Sequence, residues 1–581
     1  MVFWKSKQPT VVTGRISPNG SSDNEKGLTP GQQHPYDNYG GDAEIARVSD
    51  PAESGQSLHR DLTARQVSMI AIGGAIGTGL IIGTGTALAT AGPASILISY
   101  CLVGVLVYVV MAALGEMATW MPVAGGFANY AARYVDPALG FSLGYTYWFK
   151  YIITTPNQLT AAAIVISYWV PAETVNPGVF IAIFLVVIIV INFLGVKYFG
   201  EMEFWLSSVK VLTLCGVIIL TLILACGGGP AQTSAPGFKS WSNPGAFASY
   251  KGIPGTLGKF LAVWASMVTA VFAFLGTELV GVTVGEAQNP RRNIPRAIKL
   301  TFWRILVFYI FSVLLIGMVV PYNAPQLLSA TKQASNANAS PFVAAIIIAG
   351  IPTLPAILNA CILIFVFSAA NSDLYIASRT LHGLAIKGHA PAIFAKTNSR
   401  GVPVYALGLS SLICCIAFLS VSSGSRTVFL YFVNLVSIFG LLTWISILVS
   451  HIYFIRARRA QGVPDSDLRY VSPFGLWGSA FALIFCIIIA FTKNFGVFLG
   501  NTFDYQNFIT GYLGIPLYLI MIFGWKFAKK TKGVKPHEAD LWSGKDVIDR
   551  DERAWIRKEA EDKAAGRGPG KLYQYTLGWL F

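Results

Sequence analysis

Two glycine-punctuated strings carry the residues that can do chemistry in this chain. "GGAIGTGLIIGTG" runs from Gly73 to Gly85, and "VFAFLGTELVGVTVGEA" runs from Val271 to Ala287 with Glu278 inside it. Each lies in an apolar run, where a chain crossing a bilayer must satisfy its own backbone hydrogen bonds. Glycine weakens a helix and lets the backbone unwind. An unwound helix frees N–H groups on one side of the break and C=O groups on the other. The N–H end, with its positive dipole, suits a carboxylate. The carbonyls suit an ammonium. A site offering both suits the backbone of a zwitterionic amino acid. Glu278 would cost about 2.5–3.5 kcal/mol at a helix centre, so it is expected to face a cavity or a partner. The competing reading of the first string is a small-residue packing seam. A dinucleotide fingerprint would need a strand, a helix and a spaced acid, and the string lacks that setting.

The elements around these strings are membrane spans. The 581 residues are 54% hydrophobic and 12% charged, against about 25% charge in an ordinary soluble domain. Apolar runs fall near 67–91, 94–113, 141–169, 178–195, 204–226 and 261–285. Six more fall near 300–320, 342–371, 403–421, 428–452, 476–493 and 508–528. A span needs roughly 20 apolar residues, so an all-α integral membrane protein of about twelve helices is expected. The two glycine strings are five spans apart. Paired interrupted helices in corresponding halves point to a transporter site.

The net charge of +15 sits between spans and in the tail, a distribution of topology rather than of nucleic-acid binding. Arg291, Arg292, Arg296 and Lys299 share one loop. Arg379, Lys387, Lys396 and Arg400 share another, and Arg456, Arg458, Arg459 and Arg469 a third. The bias places both termini in the cytosol, although Lys239, Lys251 and Lys259 run against it. The sequon at Asn338 then faces outside. Residues 1–60 read as a disordered tail, 61–528 as the spanning domain and 529–581 as a second tail. Within the latter, "DVIDRDERAWIRKEAEDKAAGRG" reads as a charged helix suited to dock on the cytosolic face.

Several strings together resemble the permease motifs of the amino acid–polyamine–organocation superfamily. They are "GGAIGTGL", "GEMATWMPVAGGF", "FWLSSVKV", "GTELVG", "GEAQNPRRNIPRAIK", "FWRI" and "SAANSDLY". The string "KYIITTPNQLTAAAIVISYW" looks like the fungal dicarboxylic branch. The resemblance implies a five-plus-five inverted repeat of LeuT-like form, with spans one and six discontinuous and two further spans at the C-terminus. It also implies proton-coupled amino acid uptake across the plasma membrane, with the proton as coupling ion and no other cofactor.

Carried over, Thr78 and Gly79 match N–H donors for the substrate carboxylate, within the unwound stretch that includes Ile76 and Gly77. Ala75 and Leu275 match carbonyls facing the amino group, and Phe272 matches an aromatic gate. Glu278 matches a buried acid, as proton carrier or gate support. Lys210 matches a fifth-span lysine that occupies a cation site in proton-coupled relatives. A lysine snorkelling to the interface is the alternative.

Many relatives carry an acid in the third span where this chain has Gln158. A carboxylate there would repel an acidic substrate, whereas an amide can donate to it. Asn157, Gln158 and Thr160 are the specificity candidates, and Asn157 and Gln158 cannot both face one way on a regular helix. Glutamate and aspartate fit best, and neutral glutamine or asparagine fit the same amides. Lys150 reads as a cation for the distal carboxylate, or as a paired or snorkelling lysine. Asn371, Ser372 and Asp373 read as an inner exit or as a helix cap near the cytosolic end.

Neither the seven cysteines nor the six histidines fall in a metal-ligand spacing, and there is no P-loop string. No nucleophile–base motif marks an enzyme. The rivals to an acidic amino acid symporter are a broad or neutral permease of the same fold and a sensor with little flux. Lys5, Lys7 and Lys26 offer sites for ubiquitin, and with them contacts to ligase adaptors.

Overall fold

The computed structural model describes residues 77–123, 125–232, 234–279, 281, 290–332, 340–499 and 503–564. Every regular element among them is helical. A half-helix α1 (Gly79–Ala91) is followed by α2 (Pro93–Trp120), the short α3 (Gly126–Tyr134), α4 (Pro137–Ile166), α5 (Pro177–Leu194) and α6 (Val196–Ala225). The second series is α7 (Gly255–Phe274), α8 (Arg291–Val319), short α9 (Pro325–Lys332) and α10 (Pro341–Ile348), then α11 (Leu354–Ile386), α12 (Val404–Ser422) and α13 (Ser425–Ala460). After it come α14 (Gly475–Thr492), the bent pair α15 (Tyr505–Tyr512) and α16 (Gly514–Lys529), and α17 (Lys545–Ala564). Setting the short helices aside, the order among the described residues is the half-helix α1 plus four, α7 with the break after it plus four, and two more. That is the five-plus-five-plus-two order expected.

Nine of the described helices are long and apolar enough to cross a membrane, or ten with the bent pair. Twelve therefore stays a count of sequence runs. α4 is not among the nine, although it has 30 residues. Lys150, Asn157, Gln158 and four threonines dilute its hydropathy. The same residues explain its place: α4 is buried nearly throughout and packs chiefly on α11 and α13. Lipid needs only apolar contact, and α5 supplies it with exposed Val179, Ile183, Val186, Val190 and Phe193. Pro156 inside α4 lacks the N–H that would bond the Ile152 carbonyl.

One boundary differs from the sequence expectation. The apolar run 342–371 is two elements: α10 ends at Ile348, and α11 starts at Leu354 after a turn through Gly350 and Pro352. A residue before proline avoids the helical region, yet isoleucine and proline keep the run apolar. Asn371, Ser372 and Asp373 consequently lie near the middle of α11 and are buried. The expectation of a cap or exit near the helix end is overturned.

The basic loops collect at one end of the bundle, where residues 530–564 dock. The Val534 N–H donates to Val135 O, the Trp120 indole to Leu541 O, and Arg133 pairs with Asp540. Arg291 pairs with both Asp549 and Glu552, and Arg292 with Glu559. Burial alone would raise the Asp549 carboxyl, but the Arg291 hydrogen bond and charge, with Lys545, hold it below the ordinary carboxylate range. A depressed acid stabilises the docked state above its unbound value, and that stability is lost as pH falls through the depressed one. Arg291→Ala removes two part-buried ion pairs, together worth at least about 1 kcal/mol. Amide exchange over 545–564 should then run about tenfold faster at neutral pH, and strongly acidic medium should release the wild-type helix too. Equal exchange in both proteins would show that the pairs do not hold it.

Candidate functional site

The two glycine strings meet. α7 stops at Phe274, and Leu275 turns extended before Gly276 takes a φ of 95°, a conformation natural only to glycine. Opposite it, Thr78 opens α1, whose first turn is a π-helix at Gly79–Gly83. At the end of α7 the Phe272 carbonyl accepts from the Leu275 N–H and the Phe274 carbonyl from the Thr277 hydroxyl, turn bonds in place of helical ones. The approach is close enough to exclude a side chain: a Cβ on Gly79 would lie 2.5 Å from Ala273 Cα and 2.8 Å from its N. Gly79→Ala must therefore push the half-helices apart, an overpacking cost of about 1–3 kcal/mol. Transport should be lost while the protein still reaches the membrane. A Gly79→Ala protein with normal uptake would show that this contact is not part of the working site.

Between the half-helices lies a small cavity of about 40 Å³, room for a few water molecules. Gly77, Thr78 and Gly79 line it from the first break and Phe272, Leu275 and Gly276 from the second. α4 contributes Lys150, Tyr151, Thr154 and Gln158, and α11 contributes Asp373. Phe272 meets Phe429 of α13 edge to face, with ring centroids 6.2 Å apart.

Glu278 does not line the cavity; it ties the second break together. Its carboxylate accepts from Lys150 Nζ, from the Gly276 N–H at 3.2 Å and from the Trp444 indole of α13 at 3.4 Å. Both members of the Lys150–Glu278 pair are buried. The ammonium also lies over the rings of Tyr147 and Tyr151, 5.3 and 4.7 Å from their centroids. Lys150 therefore pairs, and the snorkelling alternative is excluded.

Gln158 joins three elements. Its carbonyl accepts from the Thr78 hydroxyl at 2.8 Å, and its amide donates to Asp373 Oδ2 at 3.4 Å. Asn157, one residue before it, is buried away from the cavity, with no hydrogen-bond partner for its amide among the described residues. Thr160 spends its hydroxyl on the Pro156 carbonyl. Lys210 is fully buried and stands 3.6 Å from Glu203, two turns away on α6. It too does not snorkel. Glu203 also accepts from Ser207 and Ser368.

Of the expected site residues, then, Gly77, Thr78, Gly79, Gln158, Phe272 and Leu275 come together. Glu278 and Lys210 form buried pairs behind them, Asn157 does not join, and Ala75 and Ile76 lie outside the described residues. Sequence reasoning missed Asp373 as a cavity residue and Glu203 as the partner of Lys210. The seven-residue spacing of Glu203 and Lys210, two turns on one face, was the available signal.

A bundle whose described elements are all helical, with the start of α1 facing the break after α7 across a small cavity, fits the architecture of a secondary transporter. The chain belongs to the amino acid permease family, which it matches over residues 66–537. It is 54% identical to the dicarboxylic amino acid permease of Saccharomyces cerevisiae over 92% of this chain and 88% of that one. It is 40% identical to the general amino-acid permease of the same yeast, over 90% and 86%. It is also 40% identical to the lysine-specific permease of Escherichia coli, over 83% and 96%. These relatives are transporters rather than enzymes, and like them the chain is a multi-pass membrane protein.

Proposed function

We propose that this chain imports acidic amino acids, glutamate and aspartate, together with protons across the plasma membrane, with both termini cytosolic. The observation that carries the substrate class is the Gln158 amide in the cavity, between Thr78 and Asp373 and on the same helix as Lys150. A neutral amide stands where a carboxylate would repel an acidic ligand. The name of the 54% identical relative points the same way. The half-helix ends serve the α-carboxylate and α-amino groups, with Phe272 above them as gate. A broad or neutral permease is the second reading, favoured by the 40% identity to the general permease.

Labelled glutamate uptake in permease-deficient cells tests it, with excess aspartate, glutamine, lysine and leucine as competitors and a protonophore as uncoupler. Block by aspartate, with collapse under the protonophore, is the expected result. Competition by leucine or lysine would favour the broad permease.

An acidic amino acid carries one net negative charge, and entering a negative-inside cell costs it about 2.3 kcal/mol per 100 mV. One proton only cancels that charge. Uptake would then run on the pH gradient alone, about 1.4 kcal/mol per unit; strongly concentrative uptake is expected to use more than one proton, and adding glutamate should evoke an inward current. An outward current would refute the stoichiometry.

A further inference from the structure

We propose that Asp373 is the carboxyl that takes up a proton travelling with the substrate. The inference rests on the proton-symport reading above and assigns it to a residue.

Among the described residues three acids surround the site, and their partners differ. Glu278 is bound by Lys150, Gly276 and Trp444. Glu203 is bound by Lys210, Ser207 and Ser368. Asp373 lines the cavity itself, and its bond is the 3.4 Å contact from the Gln158 amide. Among the described residues no cation stands within ion-pair distance of it. Lysine is not interchangeable between these acids, because each ammonium is already committed to a closer carboxylate.

The groups that face Asp373 are few. From α4 they are Lys150, Gln158, Tyr147 and Tyr151. From α6 they are Lys210 and Glu203, and from α12 Cys414. α5 offers the neutral Asn192, bonded to Asn371 on the same helix as Asp373. Arg304, buried on α8, acts on Glu278 rather than on Asp373.

The consequence for an acidic ligand is direct. An ionised Asp373 would set a second negative charge beside the incoming carboxylates in a small protein-lined cavity, where repulsion is stronger than in bulk water. A protonated Asp373 is neutral and gains an O–H donor for the ligand. Binding of substrate and binding of the proton therefore favour each other. When substrate leaves into the less acidic cytosol, the carboxyl can ionise, and the Gln158 amide is placed to accept that charge. Lys210 and Glu278, the coupling residues expected from the family pattern, take a supporting part in this scheme. Each fixes the charge of a neighbour.

The test is proteoliposomes holding the full chain, an internal pH dye and labelled glutamate, which give protons moved per glutamate. In the wild-type protein glutamate should acidify the lumen. In Asp373→Asn the ratio should fall by one proton per glutamate, and uptake should lose its preference for acidic over near-neutral external medium. An unchanged ratio in Asp373→Asn, even with weaker glutamate binding, would overturn the proposal and make Asp373 a substrate contact only. A wild-type protein that moves glutamate without protons would sink the symport reading and this inference together. Should Asp373→Asn fail to reach the membrane, Asp373→Glu keeps an ionisable group. Its pH of half-maximal uptake should be displaced, and an unmoved profile would count against the proposal.

Discussion

Replacing Glu278 by glutamine will leave the Lys150 ammonium buried without its countercharge. Removing one partner of a buried pair costs about 3–5 kcal/mol, because the other charge stays uncompensated. Here the loss is compounded. The same carboxylate holds the Gly276 N–H and the Trp444 indole, and a glutamine offers one acceptor oxygen where three donors converge. The variant should unfold in detergent well below the wild-type temperature and should not transport. Charge and geometry are separable. In the double variant Lys150→Met with Glu278→Gln no unpaired charge remains, and most of the lost stability should return. Transport should not return, because the second break has lost its anionic anchor and the cavity its cation. A single Glu278→Gln protein as stable as wild type would show that the pair is not what holds the break.

The breaks themselves were legible because they are written in glycine. Only glycine readily adopts the positive φ of Gly276 or fits at Gly79, where a Cβ would fall 2.5 Å from Ala273 Cα, and the sequence displays both inside apolar runs. Gln158 was legible as a polar residue in the third run, and the order of spans followed from hydropathy. Pairings were not. Lys150 and Glu278 are 128 residues apart, and no local pattern says which lysine meets which acid. Depth was misjudged for a different reason. Hydropathy reads through the turn at Gly350–Thr353, so Asp373 looked close to a helix end and is near its middle. α4 lies outside the set of apolar spans for the same cause in reverse, since a helix enclosed by other helices can carry the polar residues that lipid would reject.

Gln158→Glu should turn the site against its proposed substrates. The new carboxylate would stand where the amide now donates to Asp373 at 3.4 Å, and it would still accept from the Thr78 hydroxyl. Two carboxyls that close share a proton, so one negative charge is retained at ordinary external pH. At an effective dielectric of about 20, a unit charge about 4 Å from a ligand carboxylate repels it by about 4 kcal/mol. Loss of even two-thirds of that figure is about a hundredfold in kcat/KM for glutamate. Glutamine, with a neutral side chain, should fall less, and lysine should become a better competitor of residual uptake than aspartate. Gln158→Leu supplies the control. It deletes both hydrogen bonds without adding charge, so it should weaken glutamate and glutamine alike. If the glutamate and leucine variants lose glutamate uptake equally, the residue acts by holding Thr78 in place, and the charge of the substrate is read elsewhere in the cavity.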